Sequence, residues 1–152
     1  MRATSVQEVE LSLRIVLESP PTGVDFGLQD GKGHDYKTIQ KQRSSGKDLC
    51  FDCVVTVKNN RDDGLPNFVG PLTQGTPADR FIYIDIGTSA GQADSCWERR
   101  IKVPLNGITL EMIERVSADS ELVLEARLPG TGRDGGPSCA TVQPIHGWRA
   151  TL

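Results

Sequence analysis

Four features of this 152-residue chain carry residue types whose spacing could support chemistry. Cys50-Phe51-Asp52-Cys53 has the C-x-x-C spacing of redox dithiols and zinc ligands. It lies inside an alternating run, and strand neighbours three apart point to opposite faces, so the two thiols do not converge on one ion. Cys96 and Cys139 stand apart and supply no second pair. All four cysteines are therefore expected as reduced, ordinary thiols, with no metal site. Gly130-Thr131-Gly132-Arg133-Asp134-Gly135 matches G-x-G-x-x-G after an expected strand. A dinucleotide loop needs a helix to start directly behind it. Here Gly136-Pro137 leads into Ser138–Val142, which is strand chemistry, so a flexible hairpin loop is expected and no nucleotide cofactor. His34 sits in a polar loop and His146 in a Pro-Ile-His-Gly turn. A hydrolase would need one of them beside a nucleophile, and no G-x-S-x-G elbow accompanies either.

The fourth stretch, 66–102, is the densest. A loop punctuated by glycine and proline over Gly70–Pro77 leads into two strands that hold much of the chain's aromatic and arginine content. If Arg80–Gly87 and Trp97–Pro104 form a hairpin centred on Gln92, direct pairing opposes Phe81 to Val103, Tyr83 to Ile101, Asp85 to Arg99 and Gly87 to Trp97. One face then carries an apolar bed with a single cross-strand ion pair. Carboxylate and guanidinium must pair there, because an isolated charge on an apolar face is costly. Two readings follow. The pair is a strut that pins the hairpin register, or Tyr83, Asp85, Trp97 and Arg99, with Gln74 and Gln92 from the loops, line a small-ligand pocket. A register slip of one residue dissolves the constellation.

The elements that must position these residues are strands. Val9, Leu11, Leu13, Ile15 and Leu17 alternate with Glu8, Glu10, Ser12 and Arg14. Val24–Leu28, Phe51–Val57, Phe81–Ile86, Trp97–Val103 and Leu122–Leu128 repeat the pattern, and short pieces near Cys139–Val142 and Trp148–Leu152 complete a sheet edge. About eight mostly antiparallel strands at turn-separated spacing predict an all-β sandwich or partly open barrel. One short helix interrupts them over 109–116. Thr109 is its expected N-cap, and Ile108 and Ile113 form a hydrophobic staple. The polar, lysine-rich segment 31–47 reads as a flexible loop.

The chain is long enough for one domain, 1–152, with a core that needs no staples, since folding at this size buries roughly 68–70% of the unfolded surface. Formal charge is −3, from 17 basic and 20 acidic residues, with the two signs interspersed. There is no basic stripe to hold nucleic acid and no apolar run long enough to span a membrane. Glu8 and Glu10 interrupt the first apolar stretch, so it reads as a strand and not an export signal, and a cytoplasmic location is expected.

The chain also resembles a family of small bacterial proteins known only as a domain of unknown function. The likeness rests on Gly23–Gly31, on Phe68-Val69-Gly70-Pro71 with Gln74-Gly75, and on Arg80–Tyr83. Gly87, Gly91-Gln92 and Trp97-Glu98-Arg99-Arg100 with Lys102–Leu105 complete it, while Cys50 and Cys53 lie outside the pattern. The resemblance implies a bacterial origin and a compact single domain, and brings no activity, cofactor or catalytic residue with it. The functional expectation is a non-catalytic cytoplasmic binding module that takes a small molecule or a protein on the 80–103 hairpin. A self-associating structural protein and a hydrolase are the alternatives.

Overall fold

The computed structural model describes residues 7–29, 40–60, 65–69, 73–74, 80–88, 100–119, 121–133 and 135–152. Two sheets face each other. The six-stranded sheet contains β1 (Gln7–Glu18), β3 (Gln40–Ser45), β4 (Asp48–Asn60), β5 (Leu65–Val69), β9 (Val123–Pro129) and β11 (His146–Thr151). Its order is β11-β9-β1-β4-β3, and β5 continues along β4 beyond the end of β3. The five-stranded sheet contains β2 (Val24–Gln29), β6 (Thr73–Gln74), β7 (Phe81–Thr88), β8 (Arg100–Pro104) and β10 (Ala140–Thr141) in the order β10-β8-β7-β2, with β6 also on β7. Pairing is antiparallel except for β1 with β9 and β10 with β8. The all-β expectation therefore holds, and both short C-terminal pieces lie at sheet edges, as their length suggested.

Alternation in the sequence becomes burial in the fold. Leu11, Leu13, Ile15 and Leu17 of β1 pair with Val55, Cys53, Phe51 and Leu49 of β4, and this row meets Phe26 and Leu28 of β2 and Ile82, Ile84 and Ile86 of β7 in one core cluster. Each face contributes every second residue, which is the period of a pleated strand. The helix α1 (Leu110–Ala118) covers the part of the six-stranded sheet formed by β1, β9 and β11. Thr109 caps it through Oγ1, which accepts from the Met112 amide at 3.2 Å, and the staple residues Ile108 and Ile113 are buried.

The segment 31–47 is not loop throughout, because Gln40–Ser45 forms β3 and pairs with β4 across the turn at Gly46-Lys47. Its composition hid this. A polar edge strand borrows its stability from a strong neighbour and needs no apolar face of its own. The rest of that segment, 31–39, lies outside the described residues.

The described residues of the G-x-G-x-x-G stretch form a loop, closed by an antiparallel bridge between Thr131 and Pro137. Two of its amides are engaged by the loop itself: Gly132 N–H donates to the Gly136 carbonyl at 2.8 Å and Gly135 N–H to the Gly132 carbonyl at 3.1 Å. Gly130 has a separate task, donating to the Glu18 carbonyl at 2.9 Å where β9 leaves the sheet beside the β1–β2 turn. A Cβ at this position would lie 2.8 Å from both the Glu18 oxygen and Pro20 Cα, and both contacts are backbone. Gly130→Ala is expected to lower stability by about 1–3 kcal/mol. Gly147→Ala, where a Cβ meets open space, serves as the control in the same urea titration.

Candidate functional site

The site expected on the 80–103 hairpin depends on register, and the observed register is shifted by one. Phe81 pairs with Pro104, Ile82 with Val103, Tyr83 with Lys102, Ile84 with Ile101 and Asp85 with Arg100. The expected partners were Val103 for Phe81, Ile101 for Tyr83 and Arg99 for Asp85. The physical reason is the two-residue side-chain period. In the observed register Ile82, Ile84, Ile101 and Val103 all point to the core and are fully buried. The expected register would have set isoleucines against charged side chains on one face and mixed aliphatic with aromatic on the other. Hydrophobic burial decides between them.

The shift sends Tyr83 and Asp85 to the outer face, with Phe81, Arg100 and Lys102. There the Phe81 and Tyr83 rings stack at 6.3 Å between centroids with an 18° interplanar angle, and the Arg100 guanidinium lies 4.9 Å above the Tyr83 ring. That spacing is within reach of a cation–π contact, which fixes a planar cation over an aromatic face. Asp85 stands opposite Arg100, so carboxylate, guanidinium and phenol share one short strip of half-buried side chains. Gln74 lies on β6 opposite Phe81 by register. Gln92, Trp97 and Arg99 lie outside the described residues, so the structure brings together Tyr83 and Asp85 and adds Phe81, Arg100 and Lys102. A hairpin centred on Gln92 sets Arg100 and Lys102 opposite isoleucines, and matching apolar face to apolar face is the signal that finds them on the outer face.

A second charged surface, not anticipated from the sequence, lies on the outer face of the six-stranded sheet. Arg14 on β1 bonds Asp52 on β4 at 3.5 Å and Glu125 on β9 at 3.3 Å. Arg127 on β9 bonds Glu18 at 2.8 Å, Asp48 at 3.0 Å and Glu125 at 3.4 Å. To reach Asp48 on β4 the Arg127 side chain crosses β1 over Val16, its register partner, and this explains how Val16 and Cys50 are buried on a face that is otherwise charged. The Glu18 hydrogen bond above all, with the charges of Glu18 and Glu125, raises the Arg127 pKa above its ordinary value against the opposing effect of burial. Half-exposed pairs of this kind contribute roughly 0–1 kcal/mol each. The lattice is a cover for the sheet, and its carboxylates are already engaged by arginines.

The cysteines divide. Cys50 and Cys53 form no disulfide and are buried on opposite faces of β4, Cys53 in the core and Cys50 beside Val16, as their spacing required. Burial, assisted by the Asp52 charge, pushes the Cys53 thiol up to about 12, so it stays protonated and unreactive at neutral pH. Cys139, however, is disulfide-bonded, which corrects the expectation of four reduced thiols. Cys96, the fourth cysteine, lies outside the described residues. Which cysteines meet is set by how loops cross, and spacing carries no record of that. A thiol titration of the purified protein in denaturant without reductant should find two groups, rising to four after reduction, and Cys50 and Cys53 should react slowly in the native state.

His146 is exposed at the start of β11, opposite Arg127 by register, and His34 lies outside the described residues. Among the described residues no group of three or more His, Cys, Asp or Glu side chains could hold a metal ion. No helix among them is long and apolar enough to cross a membrane.

A family model described as "Family of unknown function (DUF5990)" matches residues 11–151. The chain belongs to this family. The match to DUF5990 runs from the first core strand to the last residue of β11, so it covers both sheets and α1 together. No curated protein and no solved structure matches the chain.

Proposed function

We propose that this protein is a non-catalytic binding module that takes a small ligand or a protein partner on the outer face of β7 and β8. The observation that carries the reading is the Arg100 guanidinium held 4.9 Å over the Tyr83 ring, with Phe81 stacked alongside. A cation and two aromatic faces on a rigid strand pair suit a flat ligand or a side chain with a carboxylate. The ring faces take the apolar body, and Arg100 and Lys102 take the charge. Rigidity comes from beneath, where Ile82, Ile84, Ile101 and Val103 are locked in the core. The test is a thermal-shift screen of small carboxylates and aromatic acids against the native protein, Tyr83→Ala and Arg100→Ala. Compounds that stabilise the native protein and neither variant support the reading. A library in which no compound moves the native melting temperature removes it.

The reading includes a bacterial origin, supported by the family resemblance, and a cytoplasmic location. The disulfide at Cys139 weighs against the second, because reducing compartments keep such bonds open. The thiol titration described above, applied to protein taken directly from its host under acid quench, decides between compartments.

A further inference from the structure

The six-stranded sheet ends on β11, and among the described residues no strand pairs with its outer edge. One row of side chains leads across the sheet to that edge. Asp52, Arg14, Glu125 and Arg149 are successive register partners on β4, β1, β9 and β11, so charge alternates along the row and ends on a cation. Arg14 is bonded to both of its neighbours, whereas exposed Arg149 has no ion pair among the described residues. On the opposite side of β11 lies a cleft of about 240 Å³, lined by Trp148, Met112, Pro104, Pro144, Gln143 and Asn106 among others. An edge and a positive charge left unpaired among the described residues, and an apolar recess on the opposite face, are three separate features of one strand.

We propose that β11 is a docking strand for an extended acidic peptide of a partner protein, independent of the β7–β8 face. The peptide adds to the sheet as a further strand, exchanging main-chain hydrogen bonds with the edge. Its acidic residue stands opposite Arg149 and continues the alternating row. The residues on either side of that acid point to the core face, and an aliphatic one there enters the recess beside Trp148. The recess is smaller than the roughly 300–1,000 Å³ of ordinary small-molecule sites, so one side chain of valine or leucine size suits it. A bulge between His146 and Arg149 limits the regular edge to Arg149–Thr151, so the contact is short and binding is weak. A second copy of this chain is a poorer occupant, since symmetric antiparallel pairing about Arg149 opposes two guanidinium groups.

The experiment uses two fluorescein-labelled, end-capped heptapeptides, TTVEVTT and TTVKVTT, titrated with the full chain by fluorescence anisotropy, alongside the variants Arg149→Glu and Met112→Trp. The glutamate peptide is expected to bind about 3–10-fold more tightly than the lysine peptide, and Arg149→Glu is expected to reverse that order. Met112→Trp, which fills the recess, is expected to weaken both peptides while leaving their ratio unchanged. The proposal is overturned if neither peptide binds at millimolar protein, or if Arg149→Glu leaves the ratio as it was. It is also overturned if sedimentation shows the edge occupied by a second copy, with a dimer that Arg149→Glu alters.

Discussion

Trp148→Ala is expected to lower the free energy of unfolding by about 3–5 kcal/mol, a large part of the roughly 5–15 kcal/mol available to a domain of this kind. Trp148 is 3% exposed and belongs to the core cluster, although it sits on the edge strand β11. Its Nε1–H donates to the Pro104 carbonyl at 2.9 Å, which ties the last strand of one sheet to the end of β8 in the other. The neighbouring turn is fitted to the ring as well, since a Cβ on Gly107 would lie 3.4 Å from Trp148 Cδ1. Alanine therefore removes apolar burial, opens a cavity and strips a buried carbonyl of its donor. Trp148→Phe separates these effects. It retains most of the packing and loses the hydrogen bond, at an expected cost of about 1–3 kcal/mol. Urea unfolding followed by circular dichroism measures both, and an unchanged m-value shows that the comparison is of stability alone.

Ile84→Ala is expected to cost about 2–5 kcal/mol, and Tyr83→Ala, one position earlier on the same strand, about 1 kcal/mol. The contrast tests the register of β7 and β8. Ile84 is fully buried opposite Ile101, so its truncation leaves a cavity in the core. Tyr83 is half-buried on the outer face, and its removal forfeits the stack on Phe81 and the contact with Arg100. If Tyr83→Ala proved as damaging as Ile84→Ala, the outer face would be part of the core and the binding surface proposed on it would be lost.

These two positions also show why the candidate site was only half legible. Alternation marks Ile82, Ile84 and Ile86 as one face of β7 and Ile101 and Val103 as one face of β8, and both faces are buried as that pattern demands. Choosing the partner of Asp85 is a separate matter. Centring the hairpin on Gln92 gives Arg99, whereas matching apolar face to apolar face gives Arg100. Turn-based pairing is dependable for loops of two to five residues, where the turn type sets the register. Across a longer connection the buried face governs.

The charged lattice was illegible for a different reason. Arg14 and Arg127 look like ordinary wet-face residues in their own strands, and the strands that bring them together, β1, β4 and β9, are far apart in sequence. β3 lacked any apolar signature because it lies against β4 as an edge. The disulfide at Cys139 likewise depends on where distant loops cross.

Local chemistry in the chain was sufficient for the main core strands, the capped helix at Thr109 and the opposed faces of Cys50 and Cys53. Each of these rests on a period or a cap that a few neighbouring residues complete. The tertiary structure decided what requires two distant segments: the order of strands in two sheets, the register that turns Tyr83 and Arg100 outward together, and the row from Asp52 to Arg149. Those are set by the competition of whole faces for burial, and no single strand contains that information.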